Sequence, residues 1–212
     1  AAGQPVTAIG SCDELIGGED VLAALAACRR ELMASPDDLE LVRRVAGLEV
    51  AEGNPDIAAG LYVTLLDRQG WSPEIAHLLG GALWRAGRLE EAESVLRDSA
   101  ERAGTVQAHA DLIGFLAAFD RWQEAKAATA VATAAFPEAC ELRELEGVAE
   151  AGAGRHEAAA AAFAKGVDAG CPRYRWATLG PLPELLDEPA ERAVSPMPMK
   201  PSPAPRSLQN AA

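Results

Sequence analysis

Residues 79–96 read LGGALWRAGRLEEAESVL. Leu79-Gly80 leads to Leu83, Gly87-Arg88 breaks the run, and Leu89-Glu90-Glu91-Ala92 with Leu96 begins a second apolar stripe. Working outward, the alanine that follows the break recurs. Ala24, Ala58, Ala92, Ala125 and Ala158 are separated by 34, 34, 33 and 33 residues. Each follows a turn signal, namely Gly17-Gly18, Gly53-Asn54-Pro55, Gly87-Arg88, Asp120-Arg121 and Gly154-Arg155. Leu79-Gly80 likewise has a counterpart 34 residues on, Ile113-Gly114. A fixed period of this length means that one supersecondary unit is stacked several times.

The content of the unit follows from its boundaries. Ser35-Pro36 and Ser72-Pro73 place a capping hydroxyl before a proline at the first helical position, where a missing N–H costs nothing. Ser35 with Asp38 also approximates a capping box. Apolar residues then fall at helical spacing, with Leu41, Val42, Val45 and Leu48 in one helix and Ile57, Leu61 and Leu65 in the next. Two helices of about 13 residues and a short turn fill each period, so the unit is a helical hairpin. One hairpin cannot bury its apolar face alone, and neighbours must stack.

These residues resemble the tetratricopeptide repeat. In that family a small residue midway along the first helix lets the two helices touch, and an alanine early in the second does the same from the other side. Residues 79–96 carry this pattern through Gly80, Gly87 and Ala92, and residues 39–72 through Ala46, Gly53, Ala58 and Tyr62. Residues 106–139 fit through Gly114, Trp122-Gln123-Glu124-Ala125 and Pro137, and residues 140–171 through Gly147, Gly154, Ala159 and Phe163. The tryptophan that the family places early in the first helix is absent, and Glu146 and Glu150 stand where apolar residues are usual. The resemblance implies an all-α fold, a right-handed α-solenoid of about four to five helix-turn-helix repeats. It also implies a groove lined by the first helices, which places Arg43, Val50, His77, Trp84, Arg85, Asp111, Phe115 and Phe119 on the binding face, with Glu144 and Val148 from the fourth repeat. Trp84 and Arg85 facing Phe115 and Phe119 make the most interface-like cluster, because Trp and Arg dominate measured hot spots. The alternative is that both phenylalanines are core between repeats.

Four regions follow. Residues 1–18 are an N-terminal segment with a degenerate first helix, 19–171 the repeat domain, 172–194 a capping segment, and 195–212 a proline-rich tail. The tail holds Pro196, Pro198, Pro201, Pro203 and Pro205 with Lys200 and Arg206 and no acidic residue. Arg173-Tyr174-Arg175-Trp176 reads as part of the cap, not as a nucleic-acid motif.

The chain has 212 residues, 49% hydrophobic and 24% charged, enough to bury a core. Aromatics are only 5%, so close packing of small side chains on helices suits it better than a sheet. With 19 basic and 32 acidic residues the net charge is −13, which argues against nucleic acid and anionic lipid and leaves a protein partner, a basic one included. No apolar stretch of about 18 residues exists to span a bilayer. Ala1-Ala2-Gly3-Gln4-Pro5 resembles a mature end after signal cleavage, which reads as export to a periplasm or cell surface; the alternative is a cytoplasmic chain.

Cys12, Cys28, Cys140 and Cys171 contain no Cys-x-x-Cys spacing, and His77, His109 and His156 fall in different repeats, so neither a metal nor a cofactor is expected. Cys140 opens the first helix of its hairpin and Cys171 closes the second, which brings them together, and Cys12 and Cys28 flank the Gly17-Gly18 turn. Either both pairs are disulfides in an oxidising compartment, or all four are reduced core thiols. Gly17-Gly18 and Gly80-Gly81 lack the follow-on of a phosphate loop, and no nucleophile–base pair is legible. The expectation is a non-catalytic scaffold or adaptor that holds a partner segment in its groove. A permanent structural subunit of a larger, membrane-associated complex is the alternative, and an enzyme or small-ligand carrier a distant third.

Overall fold

The computed structural model describes residues 10–171. Their regular elements are all α-helices: α1 (Cys12–Leu15), α2 (Val21–Ala34), α3 (Leu39–Ala51), α4 (Pro55–Gln69), α5 (Pro73–Arg85), α6 (Leu89–Ala103), α7 (Val106–Ala118), α8 (Trp122–Ala135), α9 (Cys140–Gly152) and α10 (His156–Asp168). Two compact units divide at residue 128, within α8. The cap and tail expected over 172–212 lie outside the described residues.

The turn inside each hairpin is what sets the period. At Gly53, Gly87 and Gly154 the backbone takes φ of 84°, 75° and 75°, the left-handed region in which glycine has no Cβ penalty. The next residue then donates its N–H back across the helix end: Asn54 to the Glu49 carbonyl at 2.8 Å, Arg88 to Leu83 at 3.0 Å, and Arg155 to Glu150 at 2.9 Å. This is the Schellman closure, which satisfies carbonyls that the helix end orphans. Asp120 does the same work at φ 56°, with Arg121 donating to Leu116 at 3.0 Å, as a short polar side chain that tolerates this region.

Five residues after each of these turns stands an alanine with no exposed surface: Ala58, Ala92, Ala125 and Ala159. The fourth is Ala159, the residue the family resemblance named, and not Ala158 of the period series, which is half-buried. The small residue midway along the first helix has its expected role twice. A Cβ on Gly80 would sit 2.6 Å from Leu96 Cδ2, and one on Gly147 2.3 Å from Phe163 Cε1. At Gly114 a Cβ would meet nothing within 4 Å, so this glycine is not a contact point.

Helix starts also differ in part from expectation. Ser72 caps α5, its Oγ accepting from Ile75 N at 3.4 Å. Ser35 does not cap α3. Asp38 does, accepting from Glu40 N at 3.0 Å and Leu41 N at 3.1 Å, because it directly precedes the first turn and reaches two orphan amides. Ser35 instead closes α2, and Pro36 falls in the connection. On α4 the inward stripe is Ala58, Tyr62 and Leu65, so Ile57, about 100° off that stripe, is half exposed.

In the first unit each helix packs on the next, from α1 to α7. Its first core layer joins Cys12, Leu25, Cys28, Leu41 and Val45, with Leu32, Leu48 and Leu61 at the edge. Cys12 and Cys28 are at disulfide distance there, their Cα atoms 4.5 Å apart. Glu49 is buried to 1% exposure in the same region, bound by the Arg29 guanidinium and by Asn54 Nδ2 at 3.1 Å. It thereby ties α2, α3 and the hairpin turn with one carboxylate. In the second unit α9 packs on α10 around Ala159 and Phe163. Cys140 and Cys171 close that hairpin at disulfide distance, with Cα atoms 5.4 Å apart.

Candidate functional site

First helices α3, α5 and α7 of the first unit are joined by side chains that reach from one to the next. Arg43 Nη1 of α3 donates to Glu74 Oε1 of α5 at 3.2 Å. His77 Nδ1 of α5 lies 2.6 Å from Asp111 Oδ2 of α7, a separation of one period in sequence. Asp111 Oδ1 accepts from Gln107 Nε2 at 2.8 Å, one helical turn earlier on α7. These links fix the two carboxylates and leave the helix faces in register.

One turn or two further along, the link between α5 and α7 becomes aromatic. Trp84 meets Phe115 edge-on, with centroids 5.7 Å apart and planes at 77°. Phe119 lies 6.2 Å from Trp84 and 4.9 Å from Phe115. Such tilted and edge-to-face pairs contribute about 0.5–1.5 kcal/mol beyond the area they bury. Phe115 is the floor, only 2% exposed, while Trp84 and Phe119 each keep 37% of their surface in solvent. The expectation that both phenylalanines line a groove is therefore corrected for Phe115. It faces the interior between hairpins, where Leu112, Ile113 and Leu116 of its own helix are also buried.

The charged groups sort differently. Arg43 is shared between Glu40 at 3.1 Å and Glu74. Its contact and that of Arg44 hold the Glu40 carboxyl below the usual carboxylate range. Arg85, exposed and next to Trp84 in sequence, donates among the described residues only to the Gly81 carbonyl at 3.4 Å, a long contact. Arg43 and Arg85 both act on Tyr62, whose hydroxyl is pushed up by burial and pulled back by the two guanidinium charges. Val50 is half-buried at the end of α3. Glu144 and Val148 belong to α9, in the second unit, and are half-buried there.

The structure thus brings together His77 with Asp111, and Trp84 with Phe115 and Phe119. It adds Glu74 and Gln107, which the sequence reading passed over. Gln107 was findable, since an amide four residues before an aspartate on a helix is a known pairing. Glu74 was not, because it lies 31 residues from Arg43 and the repeat period does not align them.

Outside this face, Glu93 of α6 accepts from Arg121 at 2.5 Å and 2.9 Å and pairs with Arg97 at 2.8 Å. The Arg121 contact comes first among the causes that hold its carboxyl down at about 2, with Arg97 adding to it against the cost of burial. Among the described residues no group of three His, Cys, Asp or Glu side chains is placed to hold a metal ion, and no helix is long and apolar enough to cross a membrane.

No family model matches the sequence, and no curated protein matches it significantly. Solved structures do match in fold. The crystal structure of MamA aligns with a TM-score of 0.63 at 19% identity, over 75% of this chain and 94% of that one. YrrB, described as a tetratricopeptide protein with an unusual peptide-binding site, aligns with a TM-score of 0.56 at 18% identity, over 74% and 82%. TTC0263, a thermophilic tetratricopeptide protein of Thermus thermophilus, aligns with a TM-score of 0.54 at 22% identity, over 78% and 91%.

Proposed function

We propose that this chain, which has the tetratricopeptide-type helical-hairpin fold, is a non-catalytic scaffold that docks a segment of another protein on its first helices. The observation that carries the reading is the aromatic pair Trp84 and Phe119, each 37% exposed yet seated on a buried Phe115. Large aromatics normally hide such surface, and aromatic anchors in rigid settings are where binding energy concentrates. Their rotamers are already limited by packing, so a partner loses little in ordering them. Arg85 lies beside Trp84 in sequence, and His77–Asp111 and Arg43–Glu74 hold the three helices as a fixed platform. The YrrB precedent of peptide binding on this fold supports the reading by analogy.

The two cysteine pairs at disulfide distance support residence in an oxidising compartment, so we place the scaffold outside the cytoplasm, in a periplasm or at a cell surface.

The test is site-specific photo-crosslinking in cells that make the protein. A benzophenone residue replaces Phe119, and in a control replaces Val63, which is 43% exposed on α4. Adducts to a discrete protein from position 119 and not from 63 are expected. They are lost in Trp84→Ala, which removes a hot-spot anchor and weakens capture roughly 30-fold. Equal adducts from both positions, or adducts indifferent to Trp84→Ala in a protein with unchanged circular dichroism, overturn the reading.

A further inference from the structure

We propose that the surface formed by Trp84, Phe119 and Arg85 takes a partner segment that carries a carboxylate close to a large apolar side chain. This deepens the docking reading above and rests on it, but a separate observation chooses the chemistry. The chain as a whole is strongly acidic, at −13, which at first sight favours a basic partner. The acidity is not spread evenly. On α6 five carboxylates, Glu90, Glu91, Glu93, Asp98 and Glu101, stand against two arginines of the same helix; Arg88 and Arg121 from outside it also hold Glu91 and Glu93, and Arg102 holds Asp98. On the three first helices every carboxylate is already held. Glu40 is held by Arg43 and Arg44, Glu49 by Arg29 and Asn54, Glu74 by Arg43, and Asp111 by His77 and Gln107.

The arginines of α3 are spoken for in the same contacts, Arg44 also meeting Asp13. Arg85 is the exception. Among the described residues its only hydrogen bond is the 3.4 Å contact to the Gly81 carbonyl of its own helix, and it makes no ion pair. Arg85 is exposed and follows Trp84 directly in sequence, and a guanidinium whose fork is unfilled among the described residues is a receptor for a planar carboxylate. Trp84 and Phe119 supply the apolar contact alongside. The net charge of the chain does not cancel this. At physiological ionic strength exposed charges farther apart than about 8 Å are largely screened, so the net charge of the chain acts on the encounter rate more than on the strength of the bound contact.

Two labelled synthetic peptides test the inference by fluorescence anisotropy on the full chain, after selection of random twelve-residue peptides displayed on phage. One peptide holds phenylalanine two residues from aspartate, and its twin has lysine in place of the aspartate. Selected sequences are expected to be rich in Asp or Glu near an aromatic or leucine. The acidic peptide is expected to bind about fivefold tighter or more than its twin, the scale of one ion pair at a partly exposed site. Arg85→Glu inverts that order, while Arg85→Lys keeps the sign and part of the size. A loss of packing alone would not invert it. Equal binding of the twins, or enrichment of basic and proline-rich peptides such as the chain's own residues 195–212, overturns the inference. If Trp84→Ala abolishes binding of both twins while Arg85→Glu alters neither, the aromatic docking surface stands and the carboxylate chemistry falls. Selection that yields no Trp84-dependent peptide overturns the docking surface itself.

Discussion

Gly147→Ala is the substitution whose outcome the packing specifies most sharply. An added methyl at this position would lie 2.3 Å from two ring atoms of Phe163 and 2.7 Å from a third. Carbon atoms prefer about 3.5 Å or more, so the ring or the helix must retreat by about 1.2 Å. Phe163 has no exposed surface and packs with Ala159 and Cys171, and Cys171 lies at disulfide distance from Cys140 at the start of the same helix as Gly147. A rigid ring held on these sides has no easy direction of escape. Overpacking of this sort costs about 1–3 kcal/mol, toward the upper end here because the clash is with a ring rather than a flexible chain end. Against it stands the better helix propensity of alanine, about 1 kcal/mol. The net expectation is destabilisation by about 1–2 kcal/mol.

Gly60→Ala and Gly114→Ala are the matched controls, since a Cβ at either meets nothing within 4 Å and both lie inside helices. Each is expected to gain the propensity contribution, up to about 1 kcal/mol. Urea unfolding followed by circular dichroism, with the cysteine pairs intact, should separate Gly147→Ala from the controls by about 1 M in midpoint. Hydrogen exchange read separately over α3–α4 and α9–α10 keeps the two units apart. A midpoint for Gly147→Ala equal to or above that of Gly60→Ala would refute the claim that the missing side chain is what lets α9 and α10 touch.

Under denaturing conditions without reductant, mass spectrometry after alkylation is expected to show no labelled cysteine; four labels would remove the disulfide reading. Cys140→Ser with Cys171→Ser should lower stability by roughly 3–4 kcal/mol, the chain-entropy value for a loop of this size, and unchanged exchange protection over α9–α10 would contradict it. Because the folded-state Glu93 carboxyl lies at about 2, below the ordinary range near 4.3, its contribution to stability is full above that range and is lost as pH falls toward 2. Carbon-detected NMR titration should find that midpoint, Arg121→Ala should return it toward the ordinary range, and a wild-type midpoint near 4.3 would remove the ion-pair account. Asp120→Gly should stabilise by up to about 1 kcal/mol, since it relieves a left-handed residue in a turn that is otherwise built on glycine; a lower melting point would show that the Asp120 side chain contributes more than its strain.

The period and the hairpin were legible because they depend on backbone rules that a sequence states openly. A left-handed turn residue calls for glycine at 53, 87 and 154, and the close helix approach calls for alanine five residues later. What the sequence did not state was the rotation of each helix about its own axis. One residue is about 100° of arc, and that is the difference between Ile57 in solvent and Ala58 in the core. The same uncertainty left Phe115 and Phe119 as equals, although four residues apart on the α7 segment one is floor and the other is rim. Capping was legible by residue type but not by position, since Ser35 and Asp38 are both competent and only the start of α3 decides between them. Least legible of all was charge pairing. A count of −13 says nothing about which carboxylates are already bound, and the sign of the chain and the sign of its candidate docking face turn out to be independent. Among the described residues Arg43 pairs with Glu40 of its own helix and with Glu74 of the next, while Arg85 makes no ion pair. That difference is a property of three helices side by side and of no single stretch of sequence, which is why the carboxylate preference we propose for this face runs against the one the composition suggests.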